Sequence, residues 1–167
     1  GTVTLRAPRV GTNDIAITGN ADGALTHQPG TTSAAIGTAI SGASSVVAEA
    51  VGVYATTGNL NIDSAQLTSW KTDTNTFMAN AGTIKTRLGW TDAAYHVRPG
   101  IEARATGNIT LATDWDFQSK TGSVFDWRYL SGAESGFLSL RAAGNVNLNA
   151  SLSDGFASAL TTAALAS

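Results

Sequence analysis

The stretch "GFLSLRAAGNVNLNASLSDGF", Gly136 to Phe156, nearly repeats an earlier stretch, "GIEARATGNITLATDWDF", Gly100 to Phe117. Both contain a Gly, a short alternating run, an Arg-Ala pair, a Gly-Asn pair and a second alternating run. Equivalent residues lie 37 positions apart, as Ile101 and Leu138 do. Apolar–polar alternation with period two is typical of a half-buried strand. The repeat therefore predicts two equivalent sets of short strands.

A related phrase occurs at four places, as "GTVTL" from Gly1, "GNLNI" from Gly58, "GNITL" from Gly107 and "GNVNL" from Gly144. A spacing of 37 residues is too long for a hairpin, and it suits a chain that makes a full circuit and stacks on itself. Equivalent strands then run parallel, and we expect them to be about 4.8 Å apart or a small multiple of it. The apolar residues that the alternation directs toward one interior are Val3, Leu5, Ile15, Ile17, Leu60, Ile62, Ile101, Ala103, Ile109, Leu111, Leu138, Leu140, Val146 and Leu148.

Two segments depart from this pattern within the single domain that we predict for residues 1–167. Residues 20–42 are rich in small residues and irregular, which predicts an insertion without regular structure. Residues 64–88 place Leu67, Trp70 and Phe77 at helical spacing, with Asp63 or Ser64 as the start and Gly82 as the end. We therefore expect a helical insertion at 64–88. The next run, Ser44 to Ala55, is the longest strand candidate, and Val46 and Val47 compete for its interior face.

The composition excludes several classes of function. Only 13% of the 167 residues are charged, the net charge is −2, and no basic stripe is visible, so nucleic acid is not an expected partner. The absence of cysteine excludes disulfides and thiolate metal sites. No run of 18 apolar residues exists, so we expect no membrane-spanning segment. The chain starts at Gly1 without a leader, which suggests a piece of something longer or a mature fragment.

Four stretches together resemble the very large bacterial exoproteins of the filamentous haemagglutinin type. They are "GTVTLRAPRVGTNDIAI" (1–17), "VVAEAVGVY" (46–54), "YHVRPGIEARATGNITLATDWDF" (95–117) and "FLSLRAAGNVNLNASLSDGF" (137–156). They follow one another in order over most of the chain. The resemblance is least in residues 20–42.

The resemblance implies a right-handed parallel β-helix, so the fold class we predict is all-β, a β-solenoid of this kind with one inserted α-helix. It implies passage through an outer-membrane pore partner by two-partner secretion, and a location that is secreted or at the bacterial cell surface. The implied function is that of a structural and adhesive shaft segment, from the later part of such a protein, with a host-cell, bacterial-cell or glycan receptor. A chain without cysteine suits passage as an unfolded polypeptide. No enzymatic activity and no cofactor are expected.

The strongest candidate chemistry is the pair Asp114 and Asp116, which share one face of a strand and could act as acids on a polysaccharide, with Arg104 and Arg141 as clamps. The alternative is a corner at which Asp side chains bind backbone N–H groups and Trp115 packs inward. The second copy of the repeat has Ser and Leu at the positions of Asp114 and Trp115. The structural role is therefore repeated while the carboxylate is not, and we predict no catalytic residue.

The remaining candidates each have a structural interpretation that we prefer. His27 and His96 have no metal-ligand spacing and no nearby acidic or thiol companion in sequence, so no metal site is expected. Asn108 and Asn149 lie in glycosylation sequons, and we expect them instead to form ladders between neighbouring strands. The tryptophans could stack on sugars, although core packing is favoured for Trp70, Trp90, Trp115 and Trp127, of which Trp127 is the best candidate for exposure.

Three hypotheses about function follow. The first is the structural and adhesive segment, and the second is a carbohydrate-binding or polysaccharide-degrading β-helix domain. The third is a receptor-binding zone carried by the helical insertion and by residues 20–42. The predicted interior makes Leu148→Asp an unfolding substitution. Unpaired strand edges also predict end-to-end association, unless the helix covers one end.

Overall fold

The structure, a computed structural model, describes residues 1–19, 25–26, 40, 42–90, 92–117, 127–129 and 134–153. The described strands are β1 (Thr2–Val10), β2 (Asp14–Ile15), β3 (Thr18–Gly19), β4 (Leu25–Thr26), β5 (Ser45–Thr56), β6 (Leu60–Ile62), β7 (Tyr95–Ala105), β8 (Ile109–Leu111), β9 (Trp115–Asp116), β10 (Arg128–Tyr129), β11 (Glu134–Ser135), β12 (Phe137–Ala142), β13 (Val146–Leu148) and β14 (Leu152–Ser153). The described helices are α1 (Ser64–Ala79) and α2 (Ala81–Arg87). Most of the predicted irregular insertion, residues 20–42, and His27 lie outside the described residues.

The strands form five sheets, of which three contain parallel pairs. The largest has the order β12-β7-β5-β1-β2, in which β2 alone is antiparallel to its neighbour. A second sheet has the parallel order β13-β8-β6, and β14 pairs with β9 in parallel. The pairs β10-β11 and β3-β4 are antiparallel. Parallel neighbours therefore come from segments that are distant in sequence.

The 37-residue repeat is a true structural repeat. Leu138 is the strand partner of Ile101, and Leu152 is the partner of Trp115, each at a separation of 37 residues. The same separation holds along β13 and β8. The prediction that equivalent residues of the two stretches are strand neighbours is confirmed.

The predicted fold class, an all-β right-handed parallel β-helix, is wrong. The described residues form a mixed α/β arrangement of five separate sheets and two helices, and no sheet among them closes on itself. The spacing between parallel neighbours is 45 − 2 = 43 for β1 and β5, 95 − 46 = 49 for β5 and β7, and 138 − 101 = 37 for β7 and β12. The 37-residue spacing thus occurs between one pair of segments only. It reflects a single duplication, which does not define a regular coil.

The longest of these spacings separates β5 from β7, and both helices lie between these two strands. The helix predicted within residues 64–88 is confirmed. The Asp63 side chain caps α1 by accepting a hydrogen bond from the Gln66 N–H at 2.9 Å. The predicted end at Gly82 is wrong, because α1 ends at Ala79 and Gly82 lies inside α2. Threonine has a low intrinsic helix propensity, and several threonines of α1 hydrogen-bond to carbonyls four residues back, as Thr74 does to Trp70 at 2.9 Å.

The helices and sheets share one core. Leu67, Trp70 and Phe77 of α1 belong to the same buried cluster as Ile101 of β7 and Ile62 of β6. Helical side chains therefore fill the interior that the sequence pattern assigned to strands alone.

Most of the predicted inward residues are confirmed as core. Those that are buried are Ile15, Ile17, Leu60, Ile62, Ile101, Ala103, Ile109 and Leu111. Val3, Leu5, Leu138 and Leu140 are partly buried against the core. Val46 joins the core cluster, whereas Val47 is buried without belonging to it.

Two predicted core residues, Val146 and Leu148, lie at the surface with exposures of 44% and 56%. They belong to β13, which has a strand neighbour on one side only in the described sheets. Alternation correctly placed them on one face, but no described element covers that face. The prediction that they are core residues is wrong for this reason.

Candidate functional site

Three strands from the second copy of the repeat are edge strands of their sheets. Each of β12, β13 and β14 pairs with a single described neighbour, namely β7, β8 and β9. We call the free sides of these three strands the open edge. Three apolar side chains at this edge, Val146, Leu148 and Leu152, are exposed by 44%, 56% and 42%. Unpaired backbone groups beside exposed apolar side chains form a surface suited to binding another polypeptide.

A groove of about 770 Å³ lies along the open edge, and Phe117, Phe137, Leu138 and Leu152 contribute its apolar walls. An aromatic cluster supports it from behind. The Trp115 and Phe117 rings stack with centroids 5.2 Å apart, and Trp127 lies 5.1 Å from Trp115. The groove therefore has a rigid wall on its β9 side.

Phe137 reaches the outward face of the largest sheet. Its ring occupies the space where a Cβ atom on Gly100 would lie, so the glycine permits the contact. The Arg6 guanidinium carbon lies 4.5 Å from the centre of the same ring. A cation–π contact thus links β12, at one edge of the sheet, with β1, which lies across two intervening strands.

The corners that precede the short strands are joined by a ladder of side-chain to backbone hydrogen bonds. The Asn108 N–H donates to Asn59 Oδ1 at 2.8 Å, and the Asn145 N–H donates to Asn108 Oδ1 at 2.8 Å. The ladder predicted for Asn108 is confirmed. Asn149 is exposed between β13 and β14, and its backbone N–H donates to Leu111 O at 3.1 Å.

The Asp114 carboxylate has the same structural role. Its Oδ1 accepts the Ser151 N–H at 2.8 Å, and Trp115 is buried with an exposure of 1%. The corner interpretation is therefore the one that the contacts support. Asp116 lies on β9, where its register partner is Ser153.

Arg104 and Arg141, the predicted clamps, are register partners on β7 and β12. Both bind one carboxylate oxygen of Glu102, at 2.5 Å from Arg104 Nε and 3.2 Å from Arg141 Nη1. The hydrogen bond from Arg104 holds the pKa of Glu102 below its usual value, and the bond from Arg141 adds to the effect. The two arginines therefore bind the protein's own carboxylate across the two strands.

His96 has an acidic companion that its sequence neighbourhood did not reveal. Its Nδ1 lies 2.5 Å from Glu134 Oε1, and Arg98 Nε donates to Glu134 Oε2 at 2.9 Å. Glu134 is 38 residues away in sequence. Within the ranges that the structure describes, no group of three or more His, Cys, Asp or Glu side chains is arranged to hold a metal ion.

A second polar cluster that sequence reasoning missed joins α1 to the largest sheet. Arg9 has a side chain exposed by only 5%, and its Nη1 lies 3.2 Å from Asp73 Oδ2. The Tyr54 hydroxyl donates to the same carboxylate oxygen. Burial, together with this hydrogen bond, raises the pKa of Tyr54 well above its ordinary value. An arginine on a strand and an aspartate on a helix give no local sequence signal for this contact.

All four tryptophans belong to the buried cluster, and Trp127 is only 2% exposed. The prediction that Trp127 is the best candidate for exposure is wrong. Its ring packs against Trp115 and Phe117, with centroids 5.1 and 6.0 Å away. The tryptophan argument for sugar stacking therefore loses its best candidate residue.

Comparison of the chain with protein-family models, with curated proteins and with solved structures finds no match. Neither α1 nor α2, the helices in the described part of the chain, has the length and apolar character needed to span a bilayer.

Proposed function

We propose that this chain is a structural and adhesive segment of a secreted bacterial surface exoprotein, and that it binds its partners at the open edge. The observation that carries the proposal is the pairing of the repeat segment with its own earlier copy. Residues 137–142, 146–148 and 152–153 lie in register on residues 100–105, 109–111 and 115–116. The repeated residues thus serve to extend sheets.

The resemblance to filamentous haemagglutinin-type exoproteins supports the same proposal. It spans four stretches in chain order, and these correspond to the four parallel strands of the largest sheet, β1, β5, β7 and β12. On this proposal the chain passes an outer-membrane pore partner during secretion and acts at the cell surface. The absence of cysteine suits that route, because a disulfide formed before passage would hold the chain folded.

The open edge supplies the adhesive surface in this proposal. Leu148 and Leu152 are exposed there, and Leu152 also lines the groove. Apolar side chains bordered by free backbone groups favour protein partners. The carbohydrate hypothesis has weaker support, because Trp127 is buried and the Asp114 carboxylate already binds a backbone N–H.

Attachment of coated beads to cells tests the proposal. Beads that carry the purified chain are expected to attach to bacterial or epithelial cells, and beads that carry the Leu148→Ser/Leu152→Ser variant are expected to lose most of that attachment. Val53→Ser is the matched control, because Val53 is similarly exposed, at 44%, on β5 away from the open edge. Failure of the wild-type chain to attach to either cell type, or equal loss in the control, would overturn the proposal.

A further inference from the structure

The largest sheet has a second free side, on β1. Among the parallel strands of this sheet, β1 is the one farthest from β12. Along Thr2–Pro8, β1 pairs with β5, and β2 contacts β1 only at Arg9 and Val10. Within the described residues, Thr2–Ala7 therefore has one unpaired side, as β12 has. Because β1, β5, β7 and β12 are all parallel, the two free sides belong to strands that run in the same direction.

The two strands with free sides also match in sequence. Residues 2–7 read "TVTLRA" and residues 137–142 read "FLSLRA". Strand β12, with the sequence "FLSLRA", pairs with β7 along "IEARA". The "LSLRA" of β12 alternates in the same way as "IEARA", so the free side of β12 resembles the side of β7 on which β12 itself pairs. A strand of the type that this edge accepts is thus carried by β1 of any other copy of the chain.

We propose that a second copy of this chain docks on the open edge, with its β1 pairing in parallel alongside β12. The inference names a partner for the proposed binding surface and rests on that proposal for its function, although the pairing itself can be tested separately. In the matched register, Val3 and Leu5 of the second copy lie beside Leu138 and Leu140. All four side chains are only partly buried in one copy, and docking buries them further.

The matched register also brings the second copy's Arg6 beside Arg141. The sheet already holds such a row, because Arg104 and Arg141 are register partners and both bind Glu102. Arg6 itself carries a carboxylate partner, Glu49, at 2.7 Å. The two arginines therefore lie next to each other with a carboxylate on each side of the contact, Glu49 of the second copy and Glu102 of the first.

The contact joins two different surfaces, so it is heterologous and does not close on itself. One copy offers β12 and the next offers β1, which leaves a free β12 and a free β1 at the two ends of the assembly. The average mass should therefore rise continuously with concentration and should show no plateau at a dimer.

Backbone directions show where proline blocks each surface. Ala143 N donates to Ala105 O at 3.0 Å, so the N–H of the preceding residue, Ala142, points to the free side of β12. Pro8 O accepts from Ala16 N at 3.0 Å on the side away from β5, so Thr4, four residues earlier, also directs its N–H away from β5. Proline at either position removes a donor from a free side and leaves the pairing within the chain intact.

Analytical ultracentrifugation of Thr4→Pro and Ala142→Pro, with Thr4→Val and Ala142→Val as matched controls, tests the inference. The wild type and both valine variants are expected to associate, and each proline variant alone is expected to stay monomeric or nearly so. An equimolar mixture of the two proline variants is expected to form dimers and nothing larger, because each supplies the surface that the other lacks. A wild type that stays monomeric at high concentration, or a mixture that stays monomeric while the wild type associates, overturns the inference.

A peptide gives a test that does not depend on the folding of a variant. Excess peptide "GTVTLRAPRV", residues 1–10, is expected to reduce wild-type assemblies to single chains, whereas a scrambled peptide is expected to have no effect. Assemblies that resist the native peptide contradict the inference. Bead attachment of the wild-type chain separates the two proposals: attachment without self-association supports the adhesive function and overturns the inference, whereas self-association without attachment supports the inference and overturns the adhesive function.

Discussion

Strands β8 and β13 have nearly the same sequence and opposite surroundings. In β8, Ile109 and Leu111 have exposures of 0% and 1%, whereas Val146 and Leu148, their partners in β13, have exposures of 44% and 56%. The difference is position, because β8 lies between β6 and β13, and β13 lies at the edge. Alternation thus specifies which face a side chain occupies, and neighbouring elements decide whether that face is buried.

Leu111 of β8 and Leu148 of β13 are register partners, and a charge placed on each of them tests the comparison. The largest effect that we expect is the one at Leu111. Leu111→Asp puts a carboxylate into the shared core without a partner, which should cost more than about 4 kcal/mol and unfold the chain. Thermal denaturation followed by circular dichroism measures the loss.

Leu148→Asp is the matched control, at the position that sequence alone predicted to be equally sensitive. Because Leu148 is 56% exposed, we expect a cost within about 1 kcal/mol. Unfolding by both substitutions would mean that β13 is covered as β8 is, and the comparison between the two strands would fail.

The next effect concerns the partly buried ion pair between Arg9 of β1 and Asp73 of α1. Asp73→Asn removes the carboxylate that faces Arg9, whose side chain is 5% exposed, and leaves a desolvated guanidinium. We expect a loss of about 2 kcal/mol, which is below the 3–5 kcal/mol of fully buried pairs because Asp73 is itself 35% exposed. Urea denaturation measures this loss.

Glu49→Gln on β5 is the control, because its partner Arg6 lies on the other face of β1 from Arg9. Its partner Arg6 is 59% exposed, so we expect at most about 0.5 kcal/mol. Equal losses in the two variants would show that Arg9 is no more desolvated than Arg6.

A smaller effect distinguishes two glycines of the corner ladder. A Cβ on Gly107 would overlap Asn59 Oδ1 and would lie 2.9 Å from the Gly58 carbonyl carbon, whereas a Cβ on Gly144 meets Asn108 Oδ1 and comes no closer than 3.2 Å to Gly107 O. Because β8 is held on both sides, Gly107→Ala should cost about 1–2 kcal/mol, and Gly144→Ala should cost less since the edge strand can shift. Paired thermal melts decide, and a larger loss for Gly144→Ala would contradict the comparison.

Local pattern predicted the elements well where the signal lies in adjacent residues. The alternation identified the short strands, the 37-residue spacing identified their partners, and helical spacing around Trp70 identified α1. The fold class could not be predicted in the same way. One duplication looks like one turn of a regular coil, and only the unequal spacings of the earlier strands show that it is not.

The polar contacts were less predictable than the strands. Glu134 lies 38 residues from His96, and Asp73 lies 64 residues from Arg9, so neither pair leaves a local motif. The burial of Trp127, which precedes β10, depends on its packing against Trp115 of β9. The sequence could indicate that Asp114 accepts a hydrogen bond at a corner, because Ser151 stands at the same position in the second copy of the repeat. The residues of the other polar clusters could not be interpreted in this way.

The smallest effect concerns Glu102 of β7, which pairs with Arg104 of the same strand and with Arg141 of the edge strand β12. The pKa of Glu102 lies below the ordinary value of 4.5 because Arg104 hydrogen-bonds to the carboxylate, with a further bond from Arg141. A carboxyl group with a lowered folded-state pKa contributes stability that is present above the ordinary value and is lost as the pH falls through the folded pKa. Below pH 4.5, the protein should therefore lose stability as the pH falls, which is measured as a lower melting temperature. This loss of free energy of unfolding should be well under about 1 kcal/mol, as for exposed pairs, and it should be absent in Glu102→Gln. Arg104→Gln should remove more of this loss than Arg141→Gln, because the bond within β7 is the stronger cause. The reverse order would place the main support of Glu102 on the edge strand, which would make the open edge more firmly held than its single neighbour suggests.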